Sequence, residues 1–228
     1  ILAAGRGERM RPLTDMTPKP LLEAGGKPLI AWTIEALVRS GFTEIVINHA
    51  HLGEKIEAAL GDGSTYGASV RYSPEGTALE TAGGIRKALH MLGETFLVVN
   101  GDIHTDIDFR PLAAQPRDER LAHVLLVPNP SHNPDGDFAL ERGELRNRGA
   151  SMLTFSGIGV YREELFRALV PGQAAKLAPL LRRAADEGRA SAELHAGVWQ
   201  DIGTPQRLAE LDRMLRAASP DTFRGERC

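Results

Sequence analysis

Ile1-Leu2-Ala3-Ala4-Gly5-Arg6-Gly7-Glu8-Arg9-Met10-Arg11-Pro12-Leu13-Thr14, followed by Thr17-Pro18-Lys19-Pro20, opens the chain. An apolar strand ending in small residues and glycines lets backbone N–H groups approach an anion with no Cβ in the way. The arginines of the loop and Lys19 add mobile positive charge, and a triphosphate needs both features. Two common phosphate loops are excluded. A Walker loop requires Gly-Lys-Ser/Thr, whereas Gly26-Lys27 is followed by Pro28. The dinucleotide fingerprint requires a third glycine where Met10 stands.

Outward from this loop the chain alternates. Ile30, Ile34, Leu37 and Val38 fall at helical spacing between Lys27 and Arg39, and Gly41 follows as a stop. Strands are expected at 44–48, 68–72 and 96–99, with helices at 52–60 and 81–92. This alternation predicts right-handed crossovers and a mostly parallel sheet, an α/β fold whose ligands bind at the carboxyl ends of the strands. The glycine loop, the segment after Tyr72 and Asp102 all fall at such ends. The second half predicts strands at 122–127, 151–161 and 193–199, and helices at 162–169 and 176–187. A last helix runs from Pro205 to Leu215 with Thr204 as its N-cap. Residues 128–137 are dense in turn formers and read as a loop that leaves the sheet and returns near the ligand edge.

With 228 residues, 42% of them hydrophobic, one domain with two lobes is expected, 1–105 and 106–218, followed by a frayed tail at 219–228. A net charge of −3 with no basic stripe argues against nucleic acid as a partner. Cys228 is the single cysteine, so no intrachain disulfide forms. No apolar stretch approaches the ~20 residues of a membrane span and the start is not signal-like, so a cytoplasmic protein with no membrane partner is expected. The chain begins inside what reads as its first strand, and a few upstream residues including an initiator methionine are expected. His49 and His51 have no third ligand at zinc-site spacing and read as structural or rim residues.

Gly5-x-Gly7-x-Arg9-x-x-Pro12-x-Thr14 with Pro18-Lys19-Pro20 resembles the signature of the sugar-phosphate nucleotidyltransferases. The resemblance implies a Rossmann-like, mostly parallel mixed sheet flanked by helices, of the glycosyltransferase-A-like kind. It also implies Mg²⁺-dependent chemistry in which the sugar-phosphate oxygen attacks the α-phosphorus of a nucleoside triphosphate in line and pyrophosphate leaves. Lys19 would then lie beside the α-phosphate, while Arg9 and the loop amides hold the leaving group. The same resemblance assigns nucleotide contacts to Ala3, Gly5, Gly7, Glu8, Arg9, Lys19 and Gly101. Asp102 and Asp201 are the metal candidates, since Mg²⁺ usually takes one or two protein carboxylates. Asp201 also reads as a cap before the last helix.

The run from Tyr72 to Gly84 resembles the family's base-binding segment. Glu75 is placed to accept from uracil N3–H, and backbone N–H groups from Glu80 to Gly84, Gly83 among them, serve the carbonyls. A capping turn with solvated charges is the other reading. Guanylyl-transferring members carry Leu-Gly-Thr-Ala-Gly where this chain has Leu79-Glu80-Thr81-Ala82-Gly83. That run, with Gly136-Asp137-Phe138, 153–158, 176–182 and 199–204, resembles the uridylyl-transferring branch that acts on N-acetylmuramate 1-phosphate. The implied partners are therefore UTP and that sugar 1-phosphate. A guanylyl- or thymidylyltransferase for a hexose 1-phosphate, and a non-catalytic nucleotide-sugar sensor, are the alternatives. The Glu-Lys-Pro stretch of larger relatives is absent, which leaves Asn100 and Asp137 as candidate sugar-phosphate contacts. Asp137 equally reads as a turn residue supporting its own backbone. Residues 129–137 hold no lysine or arginine, so selectivity for the acceptor is expected from space and hydrogen bonds. A monomer or weak homodimer is expected.

Overall fold

Leu2 joins the two halves of the main sheet. In this computed structural model, which describes residues 1–218, it forms parallel bridges to Asn48 on one side and Asn100 on the other. Its N–H donates to the Val99 carbonyl at 2.9 Å, and its own carbonyl accepts from Gly101 N–H at 2.8 Å. The expected first strand is therefore a single pairing residue placed centrally. The tail at 219–228, with Cys228, lies outside the described residues.

The strands are β1 (Glu23–Ala24), β2 (Lys27–Pro28), β3 (Glu44–His49), β4 (Ser69–Pro74), β5 (Thr95–Val99), β6 (Ile103–Thr105), β7 (Ala122–Val127), β8 (Phe138–Glu141), β9 (Glu144–Arg146), β10 (Met152–Arg162), β11 (Ala190–Leu194) and β12 (Trp199–Asp201). The α-helices are α1 (Leu29–Arg39), α2 (Gly53–Leu60), α3 (Glu80–Ala88), α4 (Leu177–Asp186) and α5 (Pro205–Ala218). β4 and β3 pair in parallel, and Leu2 links β3 to β5. Beyond β5 the sheet continues through β10, β7, β11, β9 and β8. The α/β reading holds, with the parallel pairing concentrated in the first half. β10 is antiparallel to both β5 and β7, and only β11 returns parallel to β7.

Local chemistry explains where element boundaries moved. The helix expected from Lys27 starts at Leu29, because Gly25 and Gly26 take φ of 62° and 84° and fold β1 onto β2 as a hairpin. Arg142 and Gly143, also left-handed, turn β8 onto β9, a hairpin that was not expected. The helix expected at 162–169 is a short 3-10 turn over Glu163–Phe166, and the strand expected at 193–199 is split between β11 and β12. Thr204 caps α5 as expected, accepting the Arg207 N–H at 3.3 Å.

Three apolar clusters hold the layers. One lies between β3, β5 and α1, around Ile30, Ile34, Ile47 and Ile158. A second, around Phe138, Tyr161, Phe166 and Leu181, takes the buried face of α4, whose Leu177, Leu181, Ala184 and Ala185 follow helical spacing. The third is small and decisive for the site. Met10, fully buried, packs with Leu22, Ala24, Leu29, Ile202 and Leu211, so the residue standing where a third glycine would be is the plug that ties the first loop to α5.

Candidate active site

At the carboxyl ends of β3 and β5 the backbone opens into a cleft of about 530 Å³. Ala3, Gly5, Gly7, Glu8, Arg9, Lys19, Glu75, Glu80, Asn100, Gly101 and Asp102 all line it. The loop is held from behind. Thr14, buried, donates its hydroxyl proton to the Gly7 carbonyl at 2.8 Å, and Gly7 adopts φ 65°. A Cβ on Gly7 would stand 2.8 Å from the Thr14 methyl group, so glycine is required there.

Lys19 donates to Asp102 in an ion pair whose lysine side chain is only 12% exposed. Asp201 lies on β12 opposite Ile103, and the N–H of Ile202 donates to the Asp102 carbonyl at 2.8 Å, so the backbone beside Asp201 meets the turn that holds Asp102 just ahead of β6. Asp201 does not itself line the cleft. It accepts from Arg207 and stands 3.1 Å from His132 Nε2. Gly203 marks the convergence: a Cβ there would lie 3.1 Å from the Arg9 guanidinium and 3.3 Å from an Asp201 oxygen. Two carboxylates with hard oxygen donors fit a divalent cation that completes its shell from phosphates and water. Among the described residues no cluster of three or more acidic, histidine or cysteine ligands exists, so a closed protein cage is not formed. Arg207 and His132 are contacts that the sequence reading missed. His132 also shows that the turn-rich loop does return to this edge.

The base-binding segment is more committed than expected. Glu75 is buried, with Oε1 accepting from Asn48 Nδ2 at 2.6 Å and Oε2 from the Leu79 N–H at 2.7 Å. Asn48 Oδ1 in turn accepts from the Ala3 N–H at 2.8 Å. Asn48 thus braces the first loop against the turn, and Glu75 is a strut with spare lone pairs rather than a free acceptor. Asn48 was not singled out from sequence, although a polar amide closing an apolar strand is the available signal. Gly83 stands apart from the cleft. Its N–H donates to Ala175 carbonyl at 3.0 Å, as does that of Ala82 at 2.9 Å, so neither serves a base. A Cβ on Gly83 would come within 2.5 Å of the Gln173 carbonyl, so its role is close packing. Glu80, by contrast, faces the cleft with φ 60°, a left-handed backbone rare for a residue with a Cβ.

A second cleft of about 420 Å³ adjoins the first through Leu2, Glu80, Thr81 and Asn100. Asn100 reaches this seam because β10 is irregular between Phe155 and Gly159, and Gly157 there has φ 77°. A Cβ on Gly157 would meet Asn100 Nδ2 at 2.4 Å. Asp137 lines the second cleft, yet its Oδ2 accepts from the Phe155 N–H at 2.9 Å and Asn133 Nδ2 at 3.1 Å, so it also braces its own loop. Both readings of Asp137 are compatible with that position. Lys176 and Arg182, which the sequence reading did not treat as site residues, line it as well.

A family model described as nucleotidyl transferase matches residues 1–136. An N-acetylmuramate alpha-1-phosphate uridylyltransferase of Neisseria meningitidis serogroup B is 55% identical over 227 residues, covering 95% of this chain and 97% of that protein. One from Caulobacter vibrioides is 33% identical over 234 residues, covering 95% and 96%. Among solved structures, a Bacillus anthracis protein assigned as a glucose-1-phosphate thymidylyltransferase superposes with a TM-score of 0.82 at 24% identity, covering 99% of this chain and 96% of that one. At that identity the likeness speaks for the fold alone. Among the described residues no helix is long and apolar enough to cross a membrane.

Proposed function

The chain belongs to the nucleotidyl transferase family, and from that premise we propose that it transfers a uridylyl group from UTP to N-acetylmuramate 1-phosphate, giving UDP-N-acetylmuramate and pyrophosphate. The observation that carries this reading is the pair of clefts sharing one wall, with Lys19 and Asp102 in the first of them. The lobe formed by 1–105 takes the nucleotide and 106–218 the acceptor. Residues Ala3 to Arg9 wrap the triphosphate with backbone N–H groups, Gly101 lets the chain pass close to it, and Arg9 holds the leaving pyrophosphate. Lys19 meets the charge that builds at the α-phosphate as the acceptor oxygen attacks. No covalent enzyme intermediate is needed, because two bound substrates can react directly once their mutual repulsion is offset.

Asp102 and Asp201 would hold Mg²⁺, which would supply charge neutralisation at the phosphates. Lys19 pairs with Asp102 and Arg207 with Asp201, so both partly buried acids have a cationic partner. Glu75 and Asn48 fix the turn that meets the uracil, and Glu80 and Asn100 stand where nucleotide and sugar phosphate adjoin. The enzyme works in the cytoplasm as a monomer or weak homodimer, in recycling of cell-wall sugar.

The test is pyrophosphate release from purified protein with Mg²⁺, using UTP, GTP or dTTP against a panel of sugar 1-phosphates. UTP with N-acetylmuramate 1-phosphate is expected to give the highest kcat/KM, and chelation of the metal to abolish release. If glucose or mannose 1-phosphate is the best acceptor, the sugar assignment is wrong while the transferase reading stands. Binding of UTP with no release on any acceptor would favour a nucleotide-sugar sensor.

A further inference from the structure

The second cleft carries positive charge of its own: Lys176 and Arg182 line it and not the first. Lys176 directly precedes α4, and Arg182 lies on that helix with its guanidinium carbon 5.0 Å from the centre of the Phe138 ring. That stacking limits the freedom of a long side chain at the cleft wall. Among the described residues neither cation is in an ion pair, whereas the adjacent Arg183 stands 3.8 Å from Glu187. The acids of the same cleft are Glu80, on the shared wall, and Asp137, whose Oδ2 already accepts from Phe155 N–H and Asn133. Two cations therefore face the cleft without committed counter-ions.

The acceptor's phosphate must reach the α-phosphorus beside Lys19, in the first cleft. Cations that line only the second cleft address a different part of the molecule. An unmodified hexose or N-acetylglucosamine ring offers only neutral groups there, whereas N-acetylmuramate carries a lactyl carboxylate. We propose that Lys176 and Arg182 form the site for a carboxylate on the acceptor sugar and determine acceptor selectivity. This rests on the uridylyltransferase reading and revises the expectation that space and hydrogen bonds alone discriminate. The residues come from a segment some forty positions beyond the lysine-free loop, so the loop's composition was no guide.

The experiment compares kcat/KM for N-acetylmuramate 1-phosphate and N-acetylglucosamine 1-phosphate, with UTP, in wild type, Lys176→Gln, Arg182→Gln and the double variant. Each substitution is expected to lower the preference for the carboxylated acceptor by about tenfold, as loss of a charge-assisted contact does. Lys176→Arg should retain most of that preference. An equal fall on both acceptors, or no change in their ratio, overturns the proposal. Calorimetric binding of unphosphorylated N-acetylmuramate against N-acetylglucosamine separates this from the functional reading. If wild type turns over neither phosphate the functional reading fails, and the cation site then stands only if N-acetylmuramate binds more tightly and the double variant removes that advantage.

Discussion

The two ends of the active cleft are built in opposite ways. The proposed nucleotide end is largely one short stretch, Ala3 to Lys19, closed by the three residues Asn100-Gly101-Asp102 that directly follow a strand. The proposed acceptor end takes Asp137 from a loop, Phe155 from the middle of β10, Lys176 from the approach to α4 and Arg182 from its second turn. Chemistry that must cradle a triphosphate needs consecutive backbone N–H groups, which only contiguous residues supply. Selectivity for a sugar needs separate side chains aimed at separate substituents, and these can come from anywhere the fold brings together. The two ends should consequently fail differently when altered.

Lys19→Ala should give the largest effect, a fall in kcat of about 10²- to 10³-fold with a much smaller change in UTP affinity, because a charge acting in the transition state is lost. Steady-state kinetics check this, and unchanged turnover would remove Lys19 from the mechanism and with it the contrast between the two ends. Asp201→Asn comes next. Replacing a hard anionic ligand with an amide should raise the Mg²⁺ requirement by about tenfold or more, and Asp102→Asn should do the same. A wild-type Mg²⁺ titration for Asp201→Asn would reduce that residue to a partner of Arg207 and a cap.

Asn48→Ala probes the joint between loop and base-binding turn. It strands a buried Glu75 oxygen and leaves the Ala3 N–H only the backbone carbonyl of residue 48 at 3.2 Å, and should cost about 1–2 kcal/mol in chemical denaturation while raising the KM for UTP more than that for the acceptor. Equal effects on both KM values would show that the two ends are coupled through β3 rather than separable. The smallest effect is expected at the shared wall. Glu80→Gly relieves a left-handed backbone and should stabilise the protein by about 0.5 kcal/mol, after the greater unfolded-state freedom of glycine is set against the relief. A loss of stability in thermal or urea unfolding would mean that the Glu80 side chain makes a compensating contact.

Much of the first half was legible because its signals are local. Helical spacing located α1, an apolar run located β5, and glycine positions marked the loop. The hairpins at Gly25-Gly26 and Arg142-Gly143 escaped because short strands carry too few residues to show a period. Asn48 escaped for a different reason. Its partners, Ala3 and Glu75, are 45 and 27 positions away, and nothing in its neighbours announces a brace. Gly83 was misplaced because an available N–H and a committed one look alike in sequence. Only the approach of residues 173–175 to α3 distinguishes them.

By itself the sequence determined the course of the first loop, since glycines, two prolines and a lysine at fixed spacing leave little freedom in how that backbone runs. It also determined the α/β alternation, because burial of one helical face at a time forces strand and helix to take turns. Tertiary structure decided the rest: that Met10 plugs the loop onto α5, that β12 brings Asp201 opposite Ile103 next to Asp102, and that Lys176 and Arg182 line a cleft adjoining the first. Those contacts join residues far apart in the chain, so they depend on packing of whole layers, and packing has no signature in any single stretch of residues.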